Sequence, residues 1–565
     1  MKKYLPIFFI FLLAVSLRFY QLGEIPSGFH TDEAYLSYNA FSILKTGKEM
    51  TGNLLPLNLK SFLYSPAGYS YFSIPFISIF GLSEFSSRFA SALFGSITIP
   101  LLFFLILKLF KDFIHKNKLA VASSFFLAIS PWHINLSRVC TDNVLVVFFI
   151  TLGVYLFVHW LTRNKFYLLL LSFLSFFVTL FIYHASRSFL PIFLPLLFIF
   201  GFYIKRYNKT KILTLILLYA FFIVVPVVLV LFSPQLSSRI KSLSIFQNPN
   251  TSLVLFEQQR EDGIMGIGAI GSRSFHNKIT NYTNTFTQTY FKHFSFDFLF
   301  TDAGLPDRYR VPESGLLYLF ELPLIILGLW RMFLFNKKVG WFIIGWILIA
   351  PIGSALTSDD IPNLQRTLLV FPAMSIISGL GFVEIIVFLK KKIKKEYVRK
   401  TCYLLSCFII FYSVLTYLHS YFVHGPSHRP WYRDEGYKEL VKQINLHSNN
   451  FNKVIITDWS SGPTIFLLFY NKYDPILIQN VMRDSKTMKY GSTSFEKYEV
   501  TGDKCPLREE KVVDSLTGEV KKILVADKNV LYVVEGTCKI PNGVVLVADI
   551  KRTDGTTTFK LLSVK

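Results

Sequence analysis

The chain has 565 residues, 52% of them hydrophobic and only 17% charged, with a mean hydropathy of +0.43. A water-soluble protein carries about a quarter of its residues as charges, so an array of soluble domains is excluded and a bilayer is the implied solvent. The net charge is +23, but residues 425–565 hold 21 basic against 17 acidic residues, leaving most of the excess to the first 424. There it sits in short clusters between apolar runs, the pattern of topogenic Lys and Arg rather than of a nucleic-acid surface.

Met1-Lys2-Lys3 and the apolar run at 4–20 look like a secretion signal. No small-x-small cleavage site follows, so the run is read as an uncleaved first helix. A helix crosses the apolar core of a bilayer with roughly 20 residues. Suitable runs lie near 4–20, 86–108, 119–136, 142–161, 166–184, 189–204, 211–232, 314–334, 338–356, 366–389 and 401–422. The expected fold is an α-helical polytopic membrane protein with about eleven transmembrane helices.

Basic clusters at 2–3, 108–118, 163–165, 205–211, 331–338 and 390–400 alternate with loops that hold isolated Arg and acidic residues. The positive-inside rule then places the N-terminus in the cytoplasm and the C-terminal segment outside. The run at 64–82 is apolar but interrupted by Pro66, Gly68, Pro75 and Gly81. Counting it as a span would put 108–118 outside, so it is read as a helix lying at the outer interface.

The expected domains are a transmembrane part at 1–424, with outer loops at about 21–85 and 233–313, and a soluble part at 425–565. Within the latter, 436–446 reads as a helix, 453–457 as a strand and 464–470 as a helix or buried strand. Stretches 523–526, 530–534 and 544–550 read as strands, giving a small α/β or α+β domain outside the cytoplasm. An outer location would let Cys505 and Cys538 pair. Cys140, Cys402 and Cys407 lie in or beside apolar runs and read as packing residues.

The segment Gly28-Phe29-His30-Thr31-Asp32-Glu33-Ala34 follows the first helix on the outer side. Its adjacent carboxylates suit a helix N-terminus, with Thr31 or Asp32 as cap and Glu33 favoured by the dipole. They also suit acid–base chemistry at a membrane surface, and the two readings are compatible. Arg88, Arg138, Arg187 and Arg366, with Asp142, fall at outer ends of predicted helices. Each Arg alone reads as a snorkelling side chain. Together with three acids they fit a cavity that holds a phosphate and activates a hydroxyl. Displacing a sugar from a lipid phosphate needs cations on the leaving phosphate. It also needs a carboxylate to take the proton of the attacking hydroxyl.

At these residues the chain resembles the group of protein O-mannosyltransferases and lipid A aminoarabinose transferases, membrane glycosyltransferases of the GT-C fold that use polyprenyl-phosphate sugars. The resemblance runs from about 5 to 385. It rests on Asp32-Glu33-Ala34, Ser65-Pro66-Ala67-Gly68, Phe80-Gly81-Leu82-Ser83-Glu84 with Arg88, Ser130-Pro131-Trp132 to Arg138, and Gly315-Leu316-Leu317-Tyr318. It implies Asp32 as catalytic base with Glu33 beside it, Arg88 and Arg138 supporting the first loop and the donor phosphate, and Asp142 as a further acid near the site. Arg187 and Arg366 join the phosphate-binding set through their expected face. Aminoarabinose transferases carry a Lys before paired prolines where this chain has Tyr64-Ser65-Pro66-Ala67, which favours the mannosyltransferase-like branch.

The implied activity is inverting transfer of a mannose-like sugar from a polyprenyl-phosphate donor to an acceptor hydroxyl on a glycan, lipid or protein, at the outer face of the cell membrane. A transporter or flippase of lipid-linked sugars is the alternative, needing phosphate-binding arginines but no base; the paired halves common in transporters are not seen. The oligosaccharyltransferase catalytic subunit shares the fold class, but no Trp-Trp-Asp motif occurs in the C-terminal segment. No cofactor is certain from the sequence. His30 and Asp32 leave a divalent metal open, without a convincing third ligand.

Overall fold

The computed structural model describes residues 4–247, 250–459, 461–484, 493–513 and 520–564. In chain order the helices begin with α1 (Leu5–Phe19), α2 (Thr31–Thr46), α3 (Gly68–Phe80), α4 (Glu84–Leu109), α5 (Lys116–Ile129) and α6 (Pro131–Ser137). They continue with α7 (Asp142–Arg163), α8 (Phe166–Thr179), α9 (Ala185–Ile204), α10 (Lys209–Tyr219) and α11 (Val225–Phe232). Four short helices follow, α12 (Pro234–Leu243), α13 (Asn250–Ile264), α14 (Ala269–Phe275) and α15 (Lys278–Lys292). The apolar series resumes with α16 (Glu321–Phe335), α17 (Lys337–Ile349), α18 (Ile352–Ala355), α19 (Phe371–Lys392) and α20 (Glu396–His419).

Among the described residues seven helices are long and apolar enough to cross a membrane, or eight if the bent pair α5–α6 is one span. The chain is therefore a multi-pass α-helical membrane protein. The expected run at 119–136 bends by 57° where Pro131, which has no N–H to offer the helix, starts α6. The runs at 4–20 and 166–184 fall on α1 and α8, of 15 and 14 residues. The run at 314–334 becomes helical only at Glu321.

The chain folds as two compact units. The first comprises Met1–Tyr20, Tyr64–Gly68 and Ser91–Ser420. Within it α19 packs on α16 and on α5, α7 on α8, and α17 on α9. Glycines let the backbones approach closely: a Cβ on Gly328 of α16 would strike the carbonyl of Ile377, and one on Gly381 of α19 the carbonyl of Leu324. Small residues at such crossings are what apolar surroundings require, since lipid gives helices no hydrophobic drive to associate.

The second unit comprises Gln21–Leu63, Tyr69–Ala90 and Tyr421–Lys565. It holds α2, most of α3, the first turns of α4, then α21 (Tyr437–His447), α22 (Pro463–Tyr470) and α23 (Pro475–Asp484). Its strands are β1 (Lys453–Thr457), β2 (Tyr498–Thr501), β3 (Arg508–Val513), β4 (Val520–Val525), β5 (Val530–Glu535), β6 (Val544–Lys551) and β7 (Thr557–Val564). Five of them form a sheet in the order β2-β1-β5-β7-β6, parallel from β2 to β5 and antiparallel from β5 to β6. Strands β3 and β4 form a separate antiparallel hairpin. A disulfide joins Cys505 to Cys538, and Cys538 is buried with Leu507, Tyr532, Val534 and Leu562.

The division differs from a boundary at 424/425. Residues 425–565 do not stand alone, because α2 of the first loop packs on α22 and α23. Phe29 stacks on Phe469 at 4.5 Å, and Gln479 donates to the hydroxyls of Ser42 and Thr46 at 3.0 and 2.9 Å.

Candidate active site

The segment that carries Asp32 is built around the start of α2. His30 is the N-cap: its Nδ1 accepts the Asp32 N–H at 3.1 Å, and its own N–H donates to Glu33 Oε2 at 3.3 Å. This reciprocal arrangement satisfies donors that a helix start leaves over, with imidazole in place of the usual hydroxyl. The turn before it needs glycine. Gly28 has φ +79°, and a Cβ there would lie 2.5 Å from the carbonyl oxygen of Arg433.

The two adjacent carboxylates face different surroundings. Glu33 is 3% exposed and pairs with Arg88 through two hydrogen bonds, Nε–Oε1 and Nη2–Oε2, both 3.1 Å. The fully buried Arg88 also donates to the carbonyls of Leu22, Pro26 and Gly28 at 3.3, 3.2 and 2.7 Å. All five of its N–H donors are thereby directed at Glu33 and the backbone of 22–28. Arg88 thus holds the first loop, rather than offering its donors to a phosphate. The Asp32 side chain is 32% exposed, with Oδ2 3.7 Å from His30 Nδ1. It is the solvent-reachable acid of the pair.

A further acid, which the linear pattern does not mark, closes the arrangement. Asp434, at φ +53°, accepts from both the N–H and the hydroxyl of Thr31 through Oδ2, at 2.8 and 2.6 Å. Its other oxygen accepts from the Ser461 hydroxyl at 2.5 Å. The same Oδ2 lies 3.9 Å from His30 Nε2. Next to it Arg433 is buried and donates to the Gly425 carbonyl at 2.8 Å; burial, with Arg88 nearby, lowers its pKa. Among the described residues no group of three His, Cys, Asp or Glu is placed to hold a metal ion. The donor set around His30 and Asp32 does not fit a metal centre.

The other expected site residues belong to the first unit. Arg138 is fully buried and donates to the carbonyls of Leu17 and Tyr20, at 2.9 and 2.6 Å, capping the end of α1. Asp142 lies in the first turn of α7, where the helix dipole favours its charge. Arg187 and Arg366 come together as lining of one cavity of about 410 Å³, with apolar walls from Val227, Val230, Leu231 and Leu356. Arg187 donates to the Leu180 carbonyl at 3.1 Å, and Arg366 to the Thr357 hydroxyl and the Asp359 carbonyl at 2.6 and 2.7 Å. Arg366 also lies 3.5 Å from the Asp359 carboxylate. Guanidinium groups in the lining of a largely apolar cavity suit an anionic head on a hydrocarbon tail.

The fold has counterparts among known proteins. The family model for dolichyl-phosphate-mannose-protein mannosyltransferase matches residues 65–230. Among solved structures the chain is similar to the oligosaccharyltransferase AglB of Archaeoglobus fulgidus, solved with an inhibitory peptide and a dolichol-phosphate. Identity is 13% and the TM-score 0.50, over 83% of this chain and 64% of that one, so the chain spans slightly less than two thirds of the archaeal protein. It is likewise similar to ArnT of Cupriavidus metallidurans bound to undecaprenyl phosphate, at 10% identity and a TM-score of 0.50, over 98% of this chain and 97% of that one. No curated protein sequence matches the chain. The fold is that of the GT-C membrane glycosyltransferases.

Proposed function

We propose that the protein is a glycosyltransferase that moves a mannose-like sugar from a polyprenyl-phosphate carrier to an acceptor hydroxyl, with Asp32 as the base. The observation that carries this reading is the division between the two carboxylates. Glu33 is buried and tied to Arg88, while Asp32, on the same helix turn beside His30, is about a third exposed. The family match and the fold support the same reaction class.

In the proposed step the acceptor oxygen attacks the anomeric carbon as the bond to the phosphate oxygen breaks. The polyprenyl phosphate leaves with the electron pair, and Asp32 receives the hydroxyl proton. A single displacement inverts the anomeric centre. Within the first unit, the cavity lined by Arg187 and Arg366 is the proposed binding place of the carrier phosphate and its first isoprene units. Arg88, Arg138 and Glu33 act as positioning residues for the first loop and α1. Asp142 lies outside the proposed proton transfer. The reaction takes place on the outer face, where the alternation of basic loops puts the second unit.

The test is release of radiolabelled mannose from polyprenyl-phosphate-mannose by purified protein in lipid. Wild type is expected to give labelled product and Asp32→Asn at least about a hundredfold less, the usual contribution of a general base. Equal turnover by both proteins would remove Asp32 from the chemistry. Movement of the intact lipid across vesicles, with no sugar released, would replace the reading with a translocase.

A further inference from the structure

The second unit contains a cleft of about 760 Å³ to which the transfer step above assigns no group. It opens beside Gly28 and Phe29, two residues before the His30 cap, and Asp434 reaches its wall. The face of α21 that carries Lys438, Glu439 and Lys442 forms one side, and Glu84, at the start of α4, another. Its size is that of a small-molecule site.

The lining carries five carboxylates and three ammonium groups, and two of the ammonium groups pair with carboxylates of the cleft. Glu84 Oε1 accepts from the Tyr470 hydroxyl at 3.0 Å and lies 3.2 Å from the Lys438 ammonium. Lys442 pairs with Glu439 at 3.2 Å, one turn further along α21. Glu435 accepts from the Thr553 hydroxyl at 2.9 Å, and its burial raises its pKa. A cleft that selects phosphate or a polycation presents a field of one sign. Here carboxylate acceptors stand beside ammonium donors at two places, Glu84 with Lys438 and Glu439 with Lys442. A hydroxyl donates one hydrogen bond and accepts two, so neighbouring hydroxyls on a ring match such adjacent acceptors and donors.

From this juxtaposition we propose that the cleft is a saccharide-binding site, and that the acceptor of the reaction is a glycan held there by its ring hydroxyls. The second half rests on the transferase reading; the first does not. Uncharged sugars are favoured over phosphorylated ones, and a glycan over an extended peptide.

Purified full-length protein in nanodiscs is titrated with mannotriose, chitotriose and cellotriose, and in parallel with a Ser/Thr-rich peptide and inorganic phosphate, by saturation-transfer NMR. At least one trisaccharide is expected to bind. Lys442→Glu and Asn445→Trp, which spoil the donor pattern and fill the cleft, are expected to weaken that binding by about tenfold or more. Thermal melts confirm that both variants fold, and Lys442→Gln, a milder change, serves if either does not. Failure of all three sugars to bind, equal binding by the variants, or binding of the peptide alone would overturn the proposal. Mannose release from polyprenyl-phosphate-mannose in the same preparation separates the two readings. Turnover without saccharide binding removes the cleft and leaves the transferase. Saccharide binding without turnover keeps the cleft and removes the acceptor role.

Discussion

Asp32 and Glu33 differ by one methylene and one position, and the fold gives them different surroundings. Glu33 lies under the loop against a guanidinium with which it shares two hydrogen bonds, so neutralising either partner leaves a buried charge uncompensated. Breaking such a pair from one side costs about 3–5 kcal/mol. Glu33→Gln and Arg88→Gln are therefore expected to lower the melting temperature and to lose mannose release together. Asp32→Asn is expected to lose mannose release while its melt stays at the wild-type value, a contrast that tryptophan fluorescence on heating detects. The acidic pair was visible in the linear pattern as a helix start, and α2 does begin there, with His30 rather than Thr31 or Asp32 as its cap. The arginines were harder to read. An isolated Arg near the expected outer end of a span looks the same in sequence whether it meets a phosphate or a carbonyl. Arg88 and Arg138 meet the carbonyls of the loop and of α1, while Arg187 and Arg366 line a cavity. Asp434 gave no signal at all, because its partner Thr31 is 403 residues away.

At the scale of elements, the loop carrying Arg366 is fixed by an interaction that titrates. His293, just beyond α15, accepts the Asn363 N–H at Nε2 (3.2 Å), so its proton resides on Nδ1, 2.8 Å from the Thr289 carbonyl. Asn363 Oδ1 in turn accepts the N–H groups of Gln365 and Arg366 at 3.0 and 2.7 Å. Burial, with Arg366 adding to it against the backbone hydrogen bonds, lowers the His293 pKa to about 4. The unfolded chain binds the proton near pH 6.5, so it holds more protons than the folded one between pH 6.5 and 4, and stability rises with pH across that window. The contribution is complete above pH 6.5 and is lost as the pH falls towards 4, by up to about 3 kcal/mol. Melts from pH 7.5 to 4.5 are expected to show this slope in wild type and a shallower one in His293→Gln; identical slopes would place the titration elsewhere. Elements with strong periodicity were legible in the sequence: the strand at Lys453–Thr457 appears where it was expected, and the expected helix at 436–446 matches α21 within a residue. Strand β7, with Thr557, Thr558 and Lys560 among its apolar residues, was not, because its partners β5 and β6 rather than its own composition hold it in the sheet.

On the scale of the whole molecule, the second unit is discontinuous in sequence, and that decides what the C-terminal segment does. Composition and charge separate 425–565 from the apolar part; that the first loop folds with it was not legible, since neither periodicity nor charge reports contacts across 400 residues. The turn that carries Asp32 is held by this pairing. Thr31 is held by Asp434, Phe29 by Phe469, Tyr38 by the carbonyl of Tyr473 at 3.0 Å, and Ser42 by Gln479. A chain ending at residue 424 retains every apolar helix from α1 to α20 and is expected to insert in the membrane, since insertion follows hydropathy. It loses every one of those partners of the first loop at once. Residues 21–63 are then expected to become sensitive to limited proteolysis, while the same bonds in the full chain resist, and mannose release is expected to vanish although Asp32 is still present. Supplying 425–565 as a separate polypeptide tests the cause. Restored protection of the first loop would show that the contacts suffice without chain continuity. A truncated protein whose first loop stays protected would mean that residues 21–90 fold without the C-terminal segment, and that Asp434 is not what holds Thr31 in place.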